Sequence, residues 1–369
     1  MAKKQILSTA PGDAEWSAFL KVPRLVYAKY SSVMLEDQDQ VSADLGADSP
    51  FRSYCKFRSF VSVWKGKPHA RVTAIINSEI SGDGDVGMLG YFEALEEAPE
   101  QTQKLLRTAL EWLHKQGVIR VLAPMNFNTW HKYRLVDPSD KRPPFLLEPF
   151  NPDYYQKILL KAGFAVHKSY YSAQFALTPD DKRSPDPLKQ LPEGITHRSL
   201  DLKHFEQDVR SIYDISVKSF GGNPEFMSVE WDEFWEIYKP AERITDPDFV
   251  HFLMDETGRD IAFAFAYRDI QTVLSKMQGQ PSWLQPITYL LGRKKSRTLV
   301  YKSLGILPEF QGARLGSILS ALIHENAHSM GIKEIIHALM EEDNLSRKIA
   351  GGGKTFRTYH LYDRHFDGE

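Results

Sequence analysis

The residues best suited to chemistry in this sequence form a short loop in its C-terminal third. A predicted strand over Leu299–Leu307 runs through Pro308 into the segment Gln311–Gly316, which opens a predicted helix. Glycines at a strand-to-helix turn let the backbone approach a ligand closely. The N–H groups and the positive dipole end of the helix then favour an anion. The loop is therefore predicted to hold a phosphate or pyrophosphate group.

The elements around this loop are typical of an α/β sheet. Apolar patterns before it predict strands over Phe249–Met254, Ile261–Tyr267 and Leu299–Leu307. After it, a helix is predicted over Leu315–Met330, and a glycine ends that helix before a strand over Ile332–Met340. The loop would thus connect a strand to the helix that covers the sheet.

The first half of the sequence repeats this order of elements. Three strands, a helix closed by a glycine and a further strand are predicted over Phe57–Trp64, Ala70–Ser78, Met88–Ala94, Thr102–Gln116 and Val118–Ala123. The match favours an internal duplication. Between the halves, the segment 178–194 has four prolines and no apolar periodicity, as linkers do. We predict modules over residues 1–180 and 195–369, joined by a linker over 181–194.

Length and composition limit the classes of function. A chain of 369 residues exceeds one ordinary core, which predicts two domains. Its 46 basic against 48 acidic residues, a net charge of −2, disfavour a nucleic-acid partner. The sequence has no window near 18 apolar residues and no signal-peptide pattern in Met1–Ala10, so we expect no membrane partner and a cytoplasmic protein. The single cysteine, Cys55, excludes an intrachain disulfide and a thiolate metal cluster.

One basic cluster stands out from this near-neutral background. It is the run Arg293–Arg297, with four cations in five residues. A solvated loop is the favoured interpretation, and a patch for an acidic substrate or a phosphate is the alternative.

The phosphate loop carries a resemblance to a known family. Gln311 and Gly316 match the outer positions of the signature Gln/Arg-x-x-Gly-x-Gly/Ala of the GNAT acyltransferase superfamily, while Arg314 stands where the family usually has glycine. The resemblance implies that acetyl-CoA or another acyl-CoA binds as co-substrate. Its pyrophosphate would lie on Gln311, Gly312, Ala313, Arg314, Leu315, Gly316 and Ser317. The Arg314 guanidinium could also reach a phosphate oxygen.

The same resemblance implies further site residues. Backbone groups of Leu304, Gly305 and Ile306 would bind the pantetheine arm, and the next strand would diverge to leave a gap for the thioester. Asn344 stands where the family often has an asparagine after that strand. By analogy Glu342 is the candidate general base. Tyr359 is the candidate general acid, with Tyr362 as its alternative.

The first half resembles a degenerate copy of such a module. Its counterpart of the phosphate loop, Glu96–Glu100, is acidic and has no glycine, so its carboxylates would repel pyrophosphate. The segment Pro143–Pro152 is also similar to that of uncharacterised bacterial proteins with two such halves. The expected fold class is α/β, with two tandem GNAT-like modules, each a twisted mixed sheet flanked by helices.

The resulting hypothesis is transfer of an acyl group, acetyl first among them, to the amine of a small molecule or peptide. A catalytically silent acyl-CoA or ligand-binding protein is one alternative, supported by Arg314 and by the absence of the family's tyrosine after Asn344. A Fem-type aminoacyl transferase, which also pairs two modules, is another, although the near-neutral charge disfavours a transfer-RNA substrate. The aromatic segment 225–236 is either a roof over the acceptor or a helix that buries its aromatic side chains.

Two motifs suggest other chemistry. His324–His328 fits H-E-x-x-H, the zinc motif of metallopeptidases. The apolar residues of this helix define its core face and leave His324 and His328 toward its polar side, and we therefore expect no metal. Gly82–Gly87 spells G-x-G-x-x-G, but a strand is predicted after it where a dinucleotide site needs a helix. We interpret it as a hairpin loop.

Overall fold

The computed structural model describes residues 5–30, 32–81, 85–137, 142–178, 186–221, 226–342 and 353–366. The chain forms two compact units. Unit 1 comprises Met1–Ser169 together with Thr358–Glu369, and unit 2 comprises Tyr170–Arg357. These limits differ from the predicted modules in two places, because strand pairing decides membership and linker composition does not. Residues from Tyr170 pair within unit 2, although they precede the linker, and the C-terminal segment belongs to unit 1.

Unit 1 is an α/β unit built mainly from the first half of the chain. Its elements are β1 (Gln5–Thr9), α1 (Trp16–Val26), α2 (Gln38–Asp44), β2 (Cys55–Trp64), β3 (Lys67–Asn77), α3 (Ser78–Ser81), β4 (Val86–Ala94), α4 (Pro99–His114), β5 (Arg120–Ala123), β6 (Leu135–Val136), α5 (Tyr155–Lys161) and the start of β7 (Ala165–Ala176).

Unit 2 is the second α/β unit. Its elements are the end of β7, β8 (Thr196–Ser199), α6 (Phe205–Phe220), α7 (Trp231–Tyr238), β9 (Val250–Met254), β10 (Asp260–Arg268), α8 (Gln271–Met277), α9 (Gln285–Gly292), β11 (Thr298–Ile306), α10 (Leu315–Ser329) and β12 (Glu334–Glu341). A last strand, β13 (Lys354–His365), enters unit 1 from Thr358 onward.

The sheet of unit 1 has the strand order β1-β2-β3-β4-β5-β13. All neighbours are antiparallel except β4 and β5, which flank α4 in sequence and pair in parallel. Helix α4 packs on β3 through its apolar stripe, whose members Leu105, Leu106, Ala109 and Leu113 are completely buried. Gly117 has φ +93°, as the predicted left-handed helix end requires.

The sheet of unit 2 has the order β7-β12-β11-β10-β9-β8. Its only parallel pair is β11 with β12, which again flank one helix, α10. That helix buries a stripe of apolar side chains on β9, β10 and β11, and Gly331 follows it with φ +68°. The predicted fold class, a mixed sheet with flanking helices in each half, is confirmed.

Two further expectations concern the chain outside these sheets. Strand β4 begins at Val86, so a strand and not a helix follows the glycine-rich loop Gly82–Gly87, of which residues 82–84 lie outside the described ranges. Across the part of the chain that the structure describes, no helix has both the length and the apolar character needed to cross a lipid bilayer.

Candidate functional site

The parallel strands β11 and β12 of unit 2 pair over only part of their length. The ladder joins Thr298–Tyr301 to Glu334–His337, whereas β11 continues to Ile306 and β12 to Glu341. A bulge at Lys302, where the β10–β11 register shifts, re-aims β11 at the end of the ladder. The gap predicted between the two strands therefore lies beyond Tyr301.

The edge of β11 that faces this gap carries part of the predicted pantetheine site. Leu307 donates its N–H to Ile261 O on β10 at 2.9 Å. Because backbone direction alternates along a strand, Gly305 also turns its backbone groups to β10, and Leu304 and Ile306 turn theirs to the gap. The Ile306 carbonyl accepts from Ser219 Oγ at 2.8 Å. Leu304 and the Ile306 N–H are thus the better placed donors and acceptors.

Gly305 serves packing instead. A Cβ at this position would lie 2.4 Å from Phe263 Cε1 and 3.1 Å from Ile215 Cγ2. A side chain would collide first with the Phe263 ring on β10, so packing accounts for the glycine at this position.

The loop between β11 and α10 is open to solvent. A 3-10 turn over Pro308–Phe310 leads to Gln311, whose Nε2 donates back to Ile306 O at 3.3 Å. The four residues from Gln311 to Arg314 are exposed, and Gly312 has φ +88° with no atom near a virtual Cβ. The chain therefore presents its backbone to water directly in front of the helix.

The start of α10 carries N–H groups that the protein does not use. Ser317 and Ile318 donate to Arg314 O at 3.0 and 3.2 Å, and the N-terminal residue Arg314 makes no side-chain cap. Within the described ranges, no protein acceptor takes the N–H of Arg314, Leu315 or Gly316. A helix start with bare amides attracts an anion.

Arg314 has the left-handed backbone conformation, with φ 60° and ψ 9°. This conformation strains residues that have a Cβ, and it explains why glycine suits the position in the family signature. The exposed side chain leaves its guanidinium available in front of the helix. Arginine thus retains the turn at a cost in strain and adds a positive charge beside the amides.

Of the residues predicted after β12, the structure describes Glu342 but not Asn344. Glu342 is exposed and follows the last residue of β12, at the far end of the diverging strand. Asn344 lies outside the described residues.

The general-acid assignment of Tyr359 requires correction. The Tyr359 side chain is fully buried in unit 1, where its hydroxyl donates to the Glu148 carboxylate. A buried phenol that already donates to a carboxylate cannot serve as a ready proton donor to a departing thiolate, so the structure does not support that role.

Three polar side chains at the base of the gap were missed from the sequence. Tyr301 and His337, the last paired residues of β11 and β12, have ring centroids 4.8 Å apart. His337 Nε2 lies 2.9 Å from His324 Nε2 on α10. Burial lowers the pKa of His324 to about 4, and burial together with His324 lowers that of His337 to about 3, so both imidazoles are neutral at pH 7.

The Tyr301 hydroxyl has no hydrogen-bond partner among the described residues, although its side chain is only 6% exposed. Burial raises its pKa well above the ordinary value, and the phenol therefore keeps its proton. A buried donor without an acceptor is uncommon in folded proteins and is often a functional group. In sequence, Tyr301 looks like any buried tyrosine of a strand. Its position becomes distinctive only because the β11–β12 ladder ends there, and the sequence does not show where the ladder ends.

The two histidines of the H-E-x-x-H motif make separate contacts. His324 points at the sheet and bonds His337, which corrects its predicted place on the polar side of the helix. His328 Nε2 instead lies 3.2 Å from Thr178 O. Among the residues that the structure describes, no three metal-binding side chains converge.

The aromatic residues of α7 pack against one another and against Phe205 and Tyr213 of α6. Phe234 is completely buried, and the rings of Trp231 and Trp235 stack with centroids 5.8 Å apart. Both tryptophans remain half-buried. The helix therefore buries one aromatic side chain and leaves two at the surface, and a roof over the acceptor stays a prediction.

In unit 1 the corresponding strands diverge around a filled space. Strands β4 and β5 pair from Val86 to Met88, after which Tyr91 adopts φ 51° and donates its N–H to Asn126 Oδ1 at 2.8 Å. Both backbone hydrogen-bonding groups of Ala94, at the end of β4, have tyrosine partners. Its N–H donates to Tyr155 Oη at 2.8 Å, and its carbonyl accepts from Tyr154 at 2.7 Å.

A buried network of charges lies beside these tyrosines in unit 1. Glu93 is 2% exposed and accepts from the hydroxyls of Tyr27 and Tyr155, with Lys132 Nζ 3.6 Å away. Together with Glu36, these residues line a small cavity in unit 1. Every hydroxyl named in this network has a protein partner.

Two relatives and a solved structure are similar to this chain over most of its length. No protein-family model matches the chain. The bacterial ceramide synthase of Caulobacter vibrioides is 21% identical over 372 residues, 95% of each chain, and protein YghO of Escherichia coli is 21% identical over 338 residues, 87% of this chain and 85% of its own. A tandem GNAT protein from the clavulanic acid biosynthesis pathway superposes with a TM-score of 0.54 at 10% identity over the whole of both chains. Two strand–helix–strand units with diverging parallel strands, matched end to end by a tandem GNAT structure, give this chain the GNAT acyltransferase fold.

Proposed function

We propose that this protein is an acyl-CoA-dependent N-acyltransferase whose donor site lies in unit 2. The observation that carries the proposal is the start of α10 directly after the exposed loop 311–314, where no acceptor among the described residues takes the N–H of Arg314, Leu315 or Gly316, beside the gap between β11 and β12. A pyrophosphate satisfies those donors, and the guanidinium of Arg314 adds a charged contact.

The rest of the donor follows from the strand geometry. The pantetheine arm extends along the open edge of β11 at Leu304 and Ile306 and hydrogen-bonds to the backbone there. This path leads the thioester into the gap between β11 and β12, near the hydroxyl of Tyr301 at the end of the ladder. The edge of a strand suits an amide-bearing arm because it supplies alternating donors and acceptors.

The reaction joins the acyl carbon to the amine nitrogen and releases the coenzyme A thiol. An alkyl ammonium of pKa ~10 must first lose a proton, and we assign that step to Glu342 at the end of β12, directly or through water. The departing thiolate needs a proton or a strong donor. We assign that contact to the Tyr301 hydroxyl in place of Tyr359, because burial keeps it protonated and none of the described residues is its hydrogen-bond partner.

A relative narrows the choice of acceptor. The bacterial ceramide synthase aligns with 95% of this chain, and a ceramide is by definition a long-chain amine that carries an N-acyl group. We therefore propose a long-chain amine as the first acceptor to test and a fatty acyl-CoA as the first donor, ahead of acetyl-CoA and of short amines or peptides.

Thermal unfolding with and without acyl-CoA tests the donor site. We expect acetyl-CoA or palmitoyl-CoA to raise Tm, and Gly316→Asp to abolish the increase because a carboxylate at the helix start repels pyrophosphate. Since Gly316 is buried, Ala313→Asp, at an exposed loop position, provides a second test that preserves packing. Glu97→Gln in the acidic loop of unit 1 is the matched control and should leave the Tm increase unchanged.

Release of coenzyme A thiol with a panel of amines tests catalysis. Turnover that requires a long-chain amine supports the full proposal. A Tm increase that survives both aspartate variants would place the donor site elsewhere. Binding without turnover on any amine would instead support the silent-binder alternative, which the strained Arg314 favours.

A further inference from the structure

The connection between β10 and β11 in unit 2 contains a helix whose apolar side chains are exposed to solvent. Helix α9, Gln285–Gly292, has no buried residue. Its large apolar side chains are exposed, at 46% for Ile287, 59% for Leu290 and 64% for Leu291, and Trp283 just before it is 70% exposed. Neighbours in space on a helix are three and four residues apart, so these side chains form one continuous apolar face.

The polar side chains of α9 make the contacts with the protein. Thr288 Oγ1 donates to Gln280 Oε1 at 2.9 Å, and Gln285 Nε2 donates to the Gln280 carbonyl at 3.1 Å. The Tyr289 hydroxyl donates to the carbonyl of Arg243. The contacts thus hold the helix with its apolar face directed to water, the opposite of an ordinary surface helix.

The same connection is strongly basic. Residues 271–297 contain five lysines and arginines and no acidic residue, in a chain whose net charge is −2. Arg293, Lys294 and Lys295 are exposed and follow directly on the apolar face. This is the cluster for which a solvated loop was the favoured interpretation.

We infer that α9 and the adjoining basic run bind the surface of an anionic phospholipid bilayer. An exposed apolar face with a tryptophan inserts among lipid headgroups and acyl chains, and adjacent lysines and arginines are attracted to anionic headgroups. A second copy of the same surface would bring two cationic runs together, which disfavours self-association. A nucleic acid would leave the apolar face unused.

Docking in this way is compatible with an open donor loop. Strand β11 starts at Thr298, shortly after α9 in the chain, and ends at Ile306, before the loop to α10. Nine strand residues span roughly 30 Å. A bilayer bound at α9 therefore leaves the start of α10 accessible from water. The inference rests on side-chain exposure and charge, and it stands whether or not the proposed acyl transfer is correct.

Co-sedimentation with lipid vesicles tests the inference on the full chain. We expect binding to vesicles of phosphatidylcholine with about one-third phosphatidylglycerol, and at least tenfold weaker binding to phosphatidylcholine alone or at 0.5 M salt. Leu290→Glu/Leu291→Glu should reduce binding at least tenfold, because two carboxylates enter the apolar face. Lys294→Glu/Lys295→Glu should abolish the preference for anionic lipid.

Matched controls separate docking from unfolding. Leu202→Glu changes another exposed leucine of unit 2, 41% exposed, and should bind vesicles like the unaltered protein. All variants should keep the unaltered Tm. No binding to anionic vesicles, or equal binding by the Leu290→Glu/Leu291→Glu variant, would overturn the inference. A dimer that this variant converts to a monomer, with no vesicle binding, would assign the face to self-association instead.

Discussion

The two strand–helix–strand units of this protein have the same arrangement of elements but differ in the groups that contact the ends of their parallel strands. In each unit a parallel strand pair flanks one covering helix and separates after a few paired residues. In unit 1 the end of β4 is satisfied from within, because Tyr154 and Tyr155 take the carbonyl and the N–H of Ala94. In unit 2, the Leu304 backbone and the Ile306 N–H on the open edge of β11 have no such partners among the described residues.

The helix starts differ in the same sense. Helix α4 begins at Pro99, which has no N–H and lies within the acidic segment 96–100. Helix α10 begins after Gly312 and Arg314, and no acceptor among the described residues takes its first N–H groups. That only the second half takes an acyl-CoA stays a prediction, and in unit 1 protein groups occupy the corresponding backbone positions. The fold alone therefore does not make an acyl-CoA site, because the same frame can be closed by two tyrosines and a proline.

The buried polar groups of the two units differ in charge, and pH should reveal it. In unit 2 the folded pKa of His324 is lowered to about 4 and that of His337 to about 3 by burial, against about 6.5 in an unfolded chain. Between these values the unfolded state binds more protons, so stability falls as pH drops from about 6.5 toward 4. We expect a loss of about 4 kcal/mol for the pair by pH 5.

In unit 1 the pKa shifts of two buried carboxyls have opposite signs, so their effects on stability oppose each other. Burial raises the pKa of Glu93, while Arg71 and Lys132 outweigh burial and lower that of Glu36 to about 2. Hydrogen exchange resolved by peptide at pH 7 and pH 5 should therefore show protection lost first in unit 2. The double variant His324→Gln/His337→Asn should reduce that difference. Equal losses in both units would contradict the assignment.

A pair of tyrosine-to-phenylalanine changes compares a satisfied hydroxyl with an unsatisfied one. Tyr155→Phe in unit 1 should cost about 1–3 kcal/mol of stability, because Glu93 and the Ala94 N–H lose their partner. Tyr301→Phe in unit 2 should leave stability unchanged or raise it by about 1 kcal/mol, because its hydroxyl has no protein partner among the described residues.

Kinetics completes this comparison. Tyr301→Phe should lower kcat about 10- to 100-fold with little change in KM, if its hydroxyl acts only as the thiolate departs. Urea unfolding and thiol release measure the two effects. A Tyr301→Phe protein that is less stable but equally active would make Tyr301 a structural residue and return the acid role to another group.

The smallest expected effect compares two residues with left-handed backbone. Arg314→Gly in unit 2 and Lys65→Gly in unit 1 both remove strain, at φ 60° and φ 52°, and each should change stability by less than about 1 kcal/mol. Only Arg314→Gly should weaken acyl-CoA binding, several-fold, because the guanidinium contributes a charged contact to the phosphates. Calorimetric titration measures the affinity. Equal affinity in both variants would remove Arg314 from the site.

Much of the local architecture followed from the residues alone. The predicted strand Leu299–Leu307, helix Leu315–Met330 and strand Ile332–Met340 correspond to β11, α10 and β12 within two residues at every end. Apolar periodicity and the helix-ending Gly331 are local signals, and the hydrophobic stripe of α10 fixes which face covers the sheet. The same local reasoning predicted the loop Gln311–Gly316 between β11 and α10 and singled out Arg314, and phosphate binding there stays a prediction.

What remained hidden depends on contacts between distant residues. The sequence could not place the residues from Tyr170 in unit 2 or the segment from Thr358 in unit 1, because strand partners are chosen by the whole sheet. It directed the acid role to Tyr359, which tertiary packing buries against Glu148. It gave no prediction for α9 and interpreted the adjoining run Arg293–Arg297 as a solvated loop, since an apolar stripe looks the same in sequence whether it faces the core or water. Periodicity thus determined the elements and their order, and only the tertiary structure decided which polar groups are satisfied and which apolar ones are exposed.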